Sequence, residues 1–150
     1  MSLREQLRND LAAAMRAGEA TRRDTLRMVL NALAAVEKEQ RRDATDDETL
    51  GVLVKGVKTR RESVEAYVAA NRADLAANEE AEIAILSAYL PEQLGDAEID
   101  ALVAEAIAAT GAASPKEMGK VMGWLGPKTK GRVDGKVLSG KVTAALAARG

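Results

Sequence analysis

Leu3, Leu7, Leu11 and Met15 follow Ser2 at helical spacing, with Glu5 three residues beyond the serine and Gly18 just past the last apolar position. A serine and a glutamate so placed satisfy backbone amides at a helix start, and a glycine ends the helix by turning left-handed. The same pattern recurs along the whole chain. Thr21 with Asp24 predicts a second start, placing Leu26, Val29, Leu30, Leu33 and Val36 on one stripe. Thr45 with Glu48 predicts a third, whose stripe from Leu50 to Val68 runs for about six turns. A fourth carries Leu75, Ile83, Leu86 and Leu90 up to Pro91, which stops it because the residue before proline is pushed out of the helical region.

Beyond the proline, Asp96 is placed to cap a helix carrying Ile99, Leu102, Val103 and Ile107 and ending at Gly111. Ser114, Pro115 and Glu117 predict another start, for a short helix to about Leu125 followed by a loop over "GPKTKGRV". Asp134 then caps a last helix with Val137, Leu138, Val142 and Leu146. No segment alternates with period two, so the expectation is an all-α, multihelical chain in two subdomains. Residues 1–91 form a four-helix, bundle-like part and residues 92–150 a three-helix part.

Aromatic residues make up only 2% of the chain against 47% apolar, so the cores must be aliphatic, with small side chains that let helices approach. There is no Cys and no His. That removes disulfides, thiol nucleophiles, imidazole bases and the usual zinc, copper and iron ligands, and no cofactor or metal is expected. The first residues are charged from Arg4 on and lack the apolar core of a signal peptide, and no stretch reaches the roughly 20 apolar residues of a membrane span. A cytoplasmic protein with no membrane association is expected.

The net charge of −1 conceals an asymmetry. Residues 1–115 hold 14 basic and 21 acidic side chains, whereas residues 116–150 hold eight and two. A basic tail on an acidic body points to a polyanionic partner, unless the tail merely neutralises the body. The tail is also rich in glycine: "MGKVMGWLGPKTKGRVDGK" spans residues 118–136. A phosphate loop is excluded by register, because Arg132 and Val133 follow Gly131 where Lys and Ser or Thr are required, and the segment follows a helix rather than a strand. Gly119 and Gly123 each cost roughly 1 kcal/mol of helix propensity. Their spacing bares one helix face for a close helix crossing, the favoured reading, or for an RNA backbone. Gly126, Gly131 and Gly135 flank the predicted loop, where backbone amides and Lys128, Lys130 and Arg132 can face phosphates. Trp124, the single tryptophan, is expected in the C-terminal core rather than stacked on a base.

In the first part, Lys58, Arg61, Glu62 and Glu65 have the spacing of a solvated, salt-bridged face, and Arg27, amid apolar neighbours, is expected to meet a carboxylate such as Glu62 or Glu65. The acid pairs Glu79 with Glu82 and Asp46 with Asp47 show no sign of a pocket that would give them acid–base roles. No catalytic residue is assigned.

Four segments, "DTLRMVLNAL" (24–33), "KTRRESVEAY" (58–67), "NRADLAANEEAEIAILSAYLPEQL" (71–94) and "MGKVMGWLGPKTKGRVDGKVL" (118–138), together resemble the YqeY family over nearly the whole chain. The C-terminal part also resembles the tail domain of the glutamine-dependent aspartyl/glutamyl-tRNA amidotransferase. The resemblance implies two all-α subdomains and a tail that engages tRNA. It also carries the label of a carbon–nitrogen ligase with glutamine as amide donor, although the domain that performs that chemistry has no counterpart in these residues. On the matching positions, Lys120, Lys128, Lys130, Arg132 and Lys136 become candidate phosphate contacts, and Gly119, Gly123, Gly131 and Gly135 the positions that allow the approach. The expectation is a non-catalytic tRNA-binding protein. A protein-interaction module built on the N-terminal helices is the alternative, and an amidotransferase-like protein by resemblance alone a third.

Overall fold

The computed structural model describes residues 1–149, and its regular structure is helical throughout, with no strand among the described residues. The chain divides into two compact units, Met1–Leu90 and a second from Pro91 on.

The first unit holds α1 (Leu3–Ala17), α2 (Ala20–Gln40), α3 (Asp46–Ala69) and α4 (Ala73–Ser87). The cap of α1 forms as its sequence dictates: the Glu5 N–H donates to Ser2 Oγ at 3.1 Å and the Ser2 N–H to Glu5 at 3.4 Å. Gly18 closes the helix in the left-handed region at φ 71°. The next start differs from expectation, because the Glu19 N–H already reaches back to Ala14 O at 3.0 Å and the chain reverses within two residues. Helix α2 therefore begins at Ala20, and Thr21 lies inside its first turn, its carbonyl accepting from Thr25 Oγ1 at 2.8 Å. Thr45 and Glu48 cap α3 as expected.

Helix α4 ends three residues earlier than the proline signal suggests. Its last turn tightens, Tyr89 and Leu90 donating to carbonyls three residues back, Leu86 and Ser87. Tyr89 Oη donates to Asp10 on α1 at 2.5 Å, and Arg22 of α2 stands 3.9 Å from the same carboxylate. Burial, then the bond to Asp10, pushes the phenol up to about 12. The four helices close on Leu7, Leu26, Val29, Leu33, Leu53, Val57 and Leu86, an aliphatic core without an aromatic centre. Burying each such side chain stabilises the fold by roughly 1.5–3 kcal/mol.

Arg27, expected to seek a carboxylate on α3, is exposed, with its guanidinium 3.8 Å from Met15 Sδ. The arginine that is buried is Arg60, 8% exposed, which donates to Glu82 on α4 at 3.1 Å and to the Gly56 carbonyl at 3.0 Å.

The second unit holds α5 (Asp96–Thr110), a short 3₁₀ turn (Pro115–Glu117), α6 (Met118–Thr129) and α7 (Gly135–Arg149). Helix α5 is capped at Gly95 rather than Asp96, with Glu98 accepting the Gly95 N–H at 3.3 Å. It ends at Gly111, φ 70°, where expected. Asp134 accepts the Lys136 N–H at 2.9 Å at the start of α7, as the sequence indicates. Ile99, Val103, Ile107, Val121, Leu125, Leu138, Val142 and Leu146 are the core. No helix among the described residues is long and apolar enough to cross a membrane.

The α3 cap has a pH signature. The Arg42 side chain, then the Thr45 N–H, holds the Glu48 carboxyl at about 2 against its ordinary 4.5. A carboxyl whose folded pKa lies below its unfolded one favours folding in its ionised form. Its contribution is complete above about 4.5 and disappears as pH falls towards 2. The urea midpoint of wild type should exceed that of Glu48→Gln at pH 6, and the gap should close by pH 2 when both are followed by circular dichroism; a gap unchanged over that range would refute the assignment.

Candidate nucleic-acid interface

Helix α6 is prepared by its own run-in. Glu117 folds back to accept the N–H groups of Ala113 and Ser114, and Pro115 opens the 3₁₀ turn that leads into the helix. The Ala113 amide, then Lys120, holds the Glu117 carboxyl below its ordinary range. The predicted loop after Leu125 is instead a further turn of helix, reaching Thr129 with Pro127 inside it. A proline there removes one backbone bond and crowds the residue before it. That residue is Gly126, which has no Cβ to clash, and the turn survives. Thr129 closes it, its hydroxyl donating to Leu125 O at 2.9 Å.

Val121, Leu125 and Thr129 face inward. At 3.6 residues per turn the opposite side falls to Gly119, Gly123 and Gly126, with Lys120 and Pro127 beside them. All five are exposed. A Cβ built on any of the three glycines meets nothing within 4 Å, so the close helix crossing favoured from the sequence is absent and the face is open backbone. Gly126, read from the sequence as flanking a loop, completes this face. Lys120 projects from it, 63% exposed, at 3.4 Å from Glu117. Trp124 sits at the border and packs against the core as expected, while Lys128 Nζ lies 4.4 Å from its ring centroid. That pairing holds the ammonium against the indole, further round the helix from the glycines.

The remaining candidates have other surroundings. Gly131 is buried at φ 75°, and its carbonyl accepts from Gln93 Nε2 at 2.6 Å. Arg132 donates through Nε to Glu92 O at 3.1 Å, and its own carbonyl accepts the Leu94 N–H at 2.8 Å. Gly131 and Arg132 thus hold residues 92–94 onto the turn between α6 and α7, a role invisible in the sequence because the partners lie some 40 positions away. Lys130 is exposed just past α6; Gly135 and Lys136 are exposed in the first turn of α7. Lys141 reaches Asp100 at 2.8 Å and Asp96 at 3.8 Å on α5, so part of the basic tail does neutralise acidic neighbours. The structure brings Gly119, Lys120 and Gly123 to one side of α6, leaves Lys128 further round that helix against Trp124, and turns Gly131 and Arg132 towards the strap formed by residues 92–94. What the site offers is open backbone, ammonium groups and an indole.

This is an all-helical protein of two small units whose C-terminal unit presents a bare, cation-flanked helix. The chain belongs to the YqeY family: the family described as Yqey-like protein matches residues 4–146. Among relatives, "Altered inheritance of mitochondria protein 41, mitochondrial" of Pyrenophora tritici-repentis is 29% identical over 147 residues, covering 96% of this chain and 81% of the relative. An uncharacterized protein of Schizosaccharomyces pombe is 32% identical over 91 residues, 61% of this chain and 74% of its own. The protein of Vanderwaltozyma polyspora with the same name as the first is 33% identical over 85 residues, 56% of this chain and 46% of its own. These names correct the cytoplasmic expectation, since two of the three relatives are named as mitochondrial and point away from the cytoplasm.

The open face makes a prediction of its own. Replacing Gly119 or Gly123 with alanine should raise stability by about 0.5–1 kcal/mol each, because helix propensity improves and nothing is displaced. Thermal unfolding of both variants checks this; a loss of stability would mean that something does pack on the face.

Proposed function

We propose that the C-terminal unit binds the sugar–phosphate backbone of RNA, tRNA foremost, without performing chemistry on it. The observation that carries this reading is the α6 surface: three glycines with open space above them, Lys120 beside them, and Lys128 on its indole further round the same helix. Bare backbone lets a ribose–phosphate chain come within contact distance, and ammonium groups beside it neutralise phosphates with release of counterions. Lys130 and Lys136 extend the cationic surface towards α7. The likeness of residues 118–138 to the tRNA-engaging amidotransferase tail supports tRNA among RNAs. The groups on this face attract and hold; they include no nucleophile and no paired acid.

Anisotropy of fluorescein-labelled tRNA titrated with the full chain at several salt concentrations tests the reading. Log affinity should fall with log salt at a slope on the order of −3 to −4, the value for four to five neutralised phosphates. Lys120→Glu with Lys128→Glu should weaken binding by roughly 10-fold or more. Arg132 is left unchanged in this test, because its loss would release the strap as well as a charge. Absence of binding, or binding indifferent to both the variant and salt, would refute the surface.

A further inference from the structure

The first unit carries a second surface with a different character. Between α2 and α3 lies a groove of about 530 Å³, walled by Met28, Ala32 and Val36 on one side and by Gly51, Val52 and Lys55 on the other. It extends from Glu48 to Thr59 along α3, about 16 Å or three helical turns at 1.5 Å per residue. Its rim is open: Met28 is 57% exposed, a large share for an apolar side chain, and Ala32, Lys55 and Thr59 are exposed as well. A Cβ on Gly51 meets nothing within 4 Å, so that wall has room for a side chain from outside.

Shape and charge together select the occupant. A small apolar ligand is ordinarily enclosed over most of its surface, which an open trough cannot do. A helix with one apolar and one polar face wants this arrangement, since its apolar stripe enters the trough and its back stays in water. Among the described residues, the charges around the groove are spent with one exception. Glu48 is taken by Arg42 at 2.6 Å and by the Thr45 N–H, and Arg60 by Glu82 and the Gly56 carbonyl. Lys55 has no carboxylate partner among the described residues. An occupant complementary to this groove therefore brings an acidic group to that wall. Met28 adds adaptability, because its unbranched thioether can repack around different aliphatic neighbours.

We propose that the α2–α3 groove docks an amphipathic helix of a partner protein, one presenting aliphatic side chains at i, i+4 and i+7 and an acidic residue beside them for Lys55. The proposal is independent of RNA binding by the other unit. The probe is a synthetic helix-stapled peptide with leucine at those three positions and glutamate at i+3, titrated into the ¹⁵N-labelled full chain. Amide shifts should concentrate at Ala32, Gly51 and Gly56 and saturate below about 1 mM. Lys55→Glu should weaken the peptide by roughly 10-fold, and a peptide with lysine in place of its glutamate should recover that loss. Gly51→Leu fills the trough while improving helix propensity, and should abolish binding in a protein that remains folded. The proposal is overturned if the peptide shifts nothing at that concentration, or if decanoate moves the same resonances while the peptide does not. It is equally overturned if those resonances move on diluting the protein alone and ignore the peptide, which would make the occupant a second copy of the chain.

Discussion

The N-terminal unit is organised around one buried cation. The Arg60 guanidinium, on α3, donates to Glu82 on α4 and to the Gly56 carbonyl of its own helix, and rests against Met28 Sδ on α2 at 3.7 Å. Taking a charge out of water costs several kcal/mol, and such a group is tolerated only where its donors are satisfied. The helix spacing follows from this requirement. A Cβ at Gly56 would lie 3.3 Å from both Arg60 Nη1 and Leu86 Cδ1, so a larger residue there would press on both side chains. With Glu82 committed to the guanidinium, burial and then the Glu82 charge push the neighbouring Glu79 carboxyl upward. In a core built almost entirely of leucine and valine, this ion pair is a directional contact between α3 and α4.

What could be read from the sequence was what short-range chemistry decides. Ser2 with Glu5, Thr45 with Glu48, Gly18, Gly111 and Asp134 act within four residues of themselves, and each helix end they specify is where the sequence places it. Thr21 has the same local signature and was overruled by its predecessor, because the closure of α1 at Gly18 left no residues for a separate cap. The loop expected after Leu125 begins instead as helix, since the residue before Pro127 is a glycine and lacks the Cβ with which the ring would clash. Arg60 and Arg27 look alike in sequence; only the packing of α4 against α3 distinguishes them.

The candidate surface divides along the same line. Lys120, Lys128 and the glycines of α6 are legible from charge and spacing, since a helix turns its residues outward in a fixed order. Whether Gly119 and Gly123 face another helix or water depends on elements far along the chain, and there the sequence favoured the wrong neighbour. Arg132 and Gly131 carry the same charge and backbone signals as the α6 residues yet hold residues 92–94. Part of the basic tail thus staples its own unit, Arg132 onto Glu92 and Lys141 onto Asp96 and Asp100.

The glycine face of α6 also changes the cost of occupying it. A surface of lysines and arginines must freeze long side chains when it binds, at up to about 1.5–2 kcal/mol of lost rotamer entropy for each. Gly119, Gly123 and Gly126 have no rotamers to lose, and their backbone is already fixed by the helix. Lys128 is partly ordered beforehand on the Trp124 ring. The glycine part of this face is thus rigid without any partner, and only the lysines beside it keep rotamers that an ordered contact would have to freeze.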